Sequence, residues 1–191
     1  MSTNSVVAYL NEDGSVVSSY VHYDGYETGV GMTLLEHYNT DKCARDLAST
    51  LGYASSLSET VAESHADRVH TDEPETFESM EEFETYLMDN SHLEFGYLWT
   101  GGKWMVASWT TTVEGTGPYA EYNSTWNGFA WLVTSFVRSG RKTVDRFRDL
   151  ARDDNREGRT EYDEFADELE VTVDKWHRYG MGEIASEAMA A

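Results

Sequence analysis

The chain has 191 residues, with 35 Asp+Glu against 14 Lys+Arg and a net charge of −21. At 40% hydrophobic and 13% aromatic residues, with two prolines, it can bury a core and is not a disordered acidic tail. No apolar run approaches the length of a membrane span, the N-terminus lacks a secretory signal's basic-then-apolar pattern, and the lone Cys43 excludes an internal disulfide.

VVAYL (6–10), NEDGS and VVSSYVHY (16–23) predict a β-hairpin around an Asp-Gly turn. A glycine-bearing loop from Asp24 to Gly31 leads into a helix over 32–38. DKCARDLASTLG predicts a second helix over 41–51, stopped by Gly52. The polar stretch 55–75 reads as a loop with at most a short helix. Phe77, Met80, Phe83 and Leu87 recur every three or four residues, with Glu78, Glu81, Glu82 and Glu84 between them. That spacing predicts an amphipathic helix over 76–89 with a strongly acidic face. LEFGYLWT (93–100) and KWMVASWTTTV (103–113) form a second hairpin across Gly101-Gly102.

Residues 114–125 have the composition of a linker, and 126–191 read as helical. Tyr162, Phe165, Leu169, Val173, Trp176 and Tyr179 run almost as a heptad seam, which must be buried on the sheet or against a partner helix. The expected architecture is therefore α+β. A small antiparallel sheet of two hairpins, 6–23 and 93–113, is covered on one face by helices 32–38, 41–51 and 76–89. The core domain is 1–113, and the helical region packs on it or mediates self-association through 162–179.

The acidity has two readings. Four Lys against ten Arg, and a single Ile against 15 Val, suit a chain from a GC-rich genome bathed in concentrated salt, where carboxylates hold water and repulsion is screened. A DNA mimic, whose carboxylates take the place of phosphates, is the functional reading of the same charge. The charge is uneven: residues 1–90 hold 18 acids and 3 bases, whereas 138–160 hold 5 acids and 8 bases. That basic segment, Arg138 to Arg159, is expected to neutralise the protein's own carboxylates, for instance those of 161–179, rather than to bind nucleic acid.

From Tyr20 the sequence reads Y-V-H-Y-D-G-Y-E-T-G-V-G-M-T-L-L-E-H-Y. It resembles a family of small uncharacterised accessory proteins from tailed viruses of bacteria and archaea. Their signature is a strand ending in His, an aromatic, Asp-Gly-Tyr, a Gly-Val-Gly turn and a Leu-Leu-x-x-Tyr helix. Leu51-Gly52, Ser55-Ser56-Leu57 and the hairpin Phe95 to Trp104 agree, so the likeness spans roughly residues 16–112. Tyr23 stands where Trp is usual. The resemblance carries no activity to these positions; it implies a virus-encoded protein acting in the host cytoplasm. With the composition, it implies a virus of a haloarchaeon.

Several groupings invite chemistry. His22, Asp24, Glu36 and His37 flank the signature turn, and a converging His–carboxylate set would make a metal or acid–base site. The structural reading of the same residues is a sheet-to-helix junction. There Gly25, Gly29 and Gly31 supply backbone freedom, Asp24 caps a turn and Tyr26 packs. The glycine loop is no phosphate cradle, because Asp24 and Glu27 repel phosphate and the Walker lysine is missing. Asp153, Asn155, Glu157, Gly158, Glu161 and Glu164 fall at calcium-loop spacing, although Glu157 and Thr160 fit that pattern poorly and no second loop exists. Trp99, Trp104 and Trp109 suit a packed sheet better than a stacking platform. No catalytic residue, metal or cofactor is assigned. The expected function is a non-enzymatic accessory protein that binds a host protein, plausibly a nucleic-acid-processing one, through Glu78, Glu81, Glu82 and Glu84, without contacting nucleic acid or membrane itself. The alternatives are a small metal-dependent enzyme at His22, Asp24 and His37, and a minor virion component.

Overall fold

A computed structural model describes residues 2–66, 72–114, 121–152 and 159–182. Strands β1 (Asn4–Leu10) and β2 (Val16–Val21) form the first hairpin. Its loop is held by the Asp13 carboxylate, which accepts hydrogen bonds from the Ser15 N–H (3.0 Å) and hydroxyl (2.7 Å). A π-helical turn, Glu27–Gly31, runs straight into α1 (Met32–His37). Helix α2 (Asp41–Thr50) begins at Thr40, whose hydroxyl accepts from the Cys43 N–H, and ends before Gly52 at φ +65°.

The polar stretch over 55–75 is, in its described part, a loop with one short helix, α3 (Val61–Ala66), as expected; it is framed by two short strands, β3 (Tyr53–Ala54) and β4 (Glu75–Phe77). Helix α4 is Met80–Asp89, so its predicted first turn is instead strand and cap. The second hairpin joins β5 (Leu93–Thr100) to β6 (Lys103–Glu114), turning at Gly101 and Gly102 with φ of +58° and +76°. Positive φ at both positions is what a two-residue hairpin turn requires.

The fold is α+β, but the sheet is larger than expected and mixed rather than antiparallel. Seven strands lie in the order β3-β2-β1-β5-β6-β7, with β4 also paired to β2. β7 is Glu121–Trp131, so the expected linker over 114–125 holds the end of β6 and the first half of a strand, and helix begins only at 132. The two hairpins meet through β1 and β5, which run parallel with Val7 opposite Tyr97. β2 and β3 are also parallel.

Helices cover both faces, which corrects the single covered face. Val7, Tyr9, Tyr97, Trp99 and Trp104 pack with Leu34, Leu47 and Phe136 of α1, α2 and α5 (Leu132–Ala151). Val6, Ala8, Val16 and Leu98 point the other way, onto Phe83 and Leu87 of α4. The last helix, α6 (Arg159–Gly180), lies along α5. Its seam is buried within the chain at Leu169, Val173 and Trp176, with Ala166 buried beside it, while the rings of Tyr162 and Phe165 lie tilted against Phe147 of α5 at 5.7 and 4.6 Å. Among the described residues no helix is long and apolar enough to cross a membrane.

Candidate functional site

The signature turn is a packing junction. After β2, the His22 N–H donates to the Ala54 carbonyl, and His22 Nδ1 lies 3.0 Å from the Tyr20 hydroxyl. Asp24 sits at φ +58°, a left-handed conformation that Asp tolerates better than most residues. Its carboxylate accepts from the exposed Tyr26 hydroxyl at 3.0 Å, and its carbonyl accepts from the Val30 N–H at 2.8 Å. The buried Gly25 donates to the Thr3 carbonyl and accepts from the fully buried Tyr97 hydroxyl at 2.8 Å. A Cβ on Gly29 would run into the Asp24 carbonyl oxygen, and one on Gly31 would crowd Leu132 and Tyr97. Glu27 accepts from Ser139 of α5. The glycines thus let the turn wedge between the sheet and α5.

The turn does not gather a metal site. His37 is exposed on α1, and the His22 ring meets Tyr23 edge-on at 4.4 Å and stacks on Tyr53. Among the described residues no three His, Cys, Asp or Glu are placed to hold a metal ion. Asp153 to Gly158, the first part of the calcium-like pattern, lie outside the described residues; Glu161 and Glu164 are exposed on the first turns of α6.

The acidic face of α4 is well built. Ser79 caps the helix by accepting from the Glu82 N–H at 3.2 Å, and the Glu82 carboxylate reaches back to the Glu78 N–H at 2.6 Å. That reciprocal pair is a capping-box arrangement displaced by one residue. Glu82 therefore serves the helix as well as the surface. Glu78, Glu81 and Glu82 are exposed and Glu84 is half-buried. None of the four forms an ion pair among the described residues.

The basic segment behaves differently. Arg148 of α5 pairs with Asp167 (3.2 Å) and Glu170 of α6, and these carboxylates hold its guanidinium pKa above the usual value. Arg152 pairs with Asp149. The tryptophans divide. Trp99 and Trp104 are cross-strand partners buried against α1 and α2, their indole N–H groups donating to Asp41 and to the Tyr38 carbonyl. Trp109 pairs with Trp126 of β7 at 5.3 Å, a contact that depends on a strand read as linker and helix.

Asp72, Glu73 and Glu75 precede α4 and line a pocket with Tyr20, Tyr53 and Tyr86, a grouping that sequence reasoning did not see. The aromatic positions in β2 and β3 were legible, but their meeting depends on β3 and β4 both pairing with β2.

Compared with family models, curated proteins and solved structures, the chain matches none.

Proposed function

We propose that this chain is a non-enzymatic, virus-encoded accessory protein that binds and modulates a host protein through its acidic surface. In this reading it acts in the host cytoplasm and its carboxylates stand in for nucleic-acid phosphates. The observation that carries the reading is the α4 face. Glu81, Glu82 and Glu84 are carried on a helix fixed by a cap and by buried Phe83 and Leu87, Glu78 stands just before that cap, and none of the four has a cation of its own chain paired to it among the described residues. A partner with a basic groove would recover the Coulombic attraction that the chain itself leaves unused. Halophilic composition and a mimic's surface are compatible, so solvent and partner roles have to be separated by experiment.

The test has two stages. Circular dichroism from dilute buffer to molar KCl comes first. A fold that is retained in dilute buffer supports a binding role, and a fold that appears only in molar salt assigns the charge to solvation and counts against mimicry. Immobilised protein is then exposed to host extract, and retained proteins are challenged with duplex DNA. Mimicry expects DNA to displace them, and expects Glu78→Lys with Glu81→Lys to abolish retention while the dichroism spectrum stays unchanged. Retention that survives both would sink the proposal. Glu82 is left intact because it caps the helix.

A further inference from the structure

The two ends of the sheet are finished differently. At one end β2 is bordered by β3 and β4, strands of two and three residues. Strands that short offer little edge to another chain. At the other end β7 runs for 11 residues, and among the described residues no strand lies beyond it. Its outer row of backbone N–H and C=O groups has no ladder to join.

The usual protections of a long edge are missing here. Residues 122–131 contain no proline and no charge of either sign, in a chain that is 26% charged. Residues 123–131 are all exposed or half-buried. The one irregularity in the β6–β7 ladder, between Val106 and Ser108, lies toward α5. Beyond it Trp109 to Glu114 run in unbroken register with Trp126 to Glu121.

This outer half of the ladder also lacks support on its other side. β5 pairs with β6 only as far as Ser108, so from Trp109 onward β6 is bonded to β7 alone. A two-stranded ribbon is marginally stable by itself, and a third strand secures it. The Trp109–Trp126 ring contact and the Thr111 and Ser124 hydroxyls, 2.9 Å apart, tie the two strands to each other. They leave the outer edge of β7 open.

A second copy of the chain is the partner that fits. The α6 seam does not serve self-association, because it is buried within the chain. Two chains of net charge −21 repel, and an uncharged strand is where they approach at least cost. A strand paired antiparallel with its own copy is two-fold symmetric, so one set of bonds satisfies both edges. Centred on Trp126, that pairing sets Glu121 opposite Trp131 of the other copy, and no like charges meet.

We propose that β7 pairs antiparallel with β7 of a second copy, joining two sheets into one across a two-fold axis. The inference does not depend on the role given to the α4 face.

Sedimentation equilibrium of the full chain in molar KCl, from micromolar to millimolar protein, measures the association. The expected result is a monomer–dimer equilibrium that tightens with added KCl, because salt screens the repulsion between acidic chains. Amide hydrogen exchange read by NMR locates the contact. Alternate β7 amides, those not bonded to β6, should gain protection at dimer-forming concentrations and exchange freely in the monomer. Ser124→Pro and Thr125→Pro form a matched pair, since successive N–H groups of a strand point to opposite edges. The one that removes an outward N–H should keep the monomer's dichroism and weaken dimerisation about tenfold, because the two-fold axis loses that bond twice. A chain that stays monomeric at millimolar concentration overturns the proposal. So does a dimer whose outward β7 amides stay unprotected, or one untouched by the proline variant that keeps its fold. Dissociation by added KCl would also overturn it, marking a contact between acidic and basic surfaces instead.

Discussion

Two acidic helices of this chain carry their charge in opposite ways. On α6 the acids lie against a basic neighbour, and Arg148 of α5 bridges to Asp167 and Glu170. At α4 the neighbour is a sheet, and Glu81, Glu82 and Glu84 on the helix and Glu78 just before its cap have no cation paired to them among the described residues. One helix spends its charge on holding the fold together and the other presents it to whatever is outside. Net charge alone does not distinguish these cases; only the identity of the helix packed alongside does.

The most forceful way to break the comparison is to ask whether α4 is as firmly part of the fold as α6. Phe83 and Trp176 are each fully buried in the cores beneath the two helices. Truncating either to Ala is expected to cost about 3–5 kcal/mol in chemical denaturation. A loss below about 1 kcal/mol for Phe83→Ala alone would mean that the acidic face rides on a loosely attached helix, which a rigid mimic does not permit.

Gly29→Ala probes the junction that seats α5, and through it α6, on the sheet. The added Cβ meets backbone rather than a yielding side chain. A loss of about 2–3 kcal/mol is expected, with thermal melting as the readout. A neutral result would show that the turn can shift without disturbing the helix pair.

Smaller effects sharpen the charge contrast. Arg148→Met is expected to lower the melting temperature slightly in dilute buffer, by a fraction of the Phe83→Ala effect, with the loss shrinking as KCl screens the pair. Glu81→Gln is expected to leave stability unchanged or raise it by a few tenths of a kcal/mol, because it removes like-charge repulsion along α4. If Glu81→Gln destabilises as much as Arg148→Met, the two helices do not differ in the way described.

The tyrosines give the finest test. Burial pushes Tyr38 up to about 12, and burial followed by the charge of Glu75 raises Tyr86. Folded-state values above the unfolded value of 10 mean that the stability tied to these phenols is fully present below pH 10 and is lost as pH rises toward 12. Glu75→Gln should lower the Tyr86 titration midpoint and leave Tyr38 where it is, read from ring chemical shifts against pH. Movement of Tyr38 by the same amount would point to a global change instead of a local carboxylate field.

Much of the secondary structure was legible because its causes are local. The Gly101-Gly102 turn, the Gly52 stop and the spacing of Phe83 and Leu87 each depend on a few adjacent residues. The linker and helix expected over 114–131 failed because Thr, Asn and Gly-bearing stretches are ambiguous until a neighbouring strand accepts their hydrogen bonds, and β6 does so for β7. VVAYL contained a clue that a single covered face does not explain. An unbroken apolar run suits a central strand buried on both sides, as β1 is between β2 and β5. Of the candidate site residues, the α4 glutamates were readable from helical period. The pocket next to them was not, since Ser18, Tyr53, Glu75 and Tyr86 come from four elements.

The sequence by itself determined the α+β class, the two hairpins, the acidic stripe of α4 and the apolar seam of α6, because period, turn chemistry and capping act over a few residues. Only the tertiary structure decided that the hairpins join in parallel through β1 and β5, that α4 takes the opposite face from α1 and α2, and that the α6 seam is buried on α5. It also decided which acids find a partner. Those outcomes depend on contacts between residues far apart in the chain, and charge and polarity acquire their meaning from the groups such contacts bring alongside.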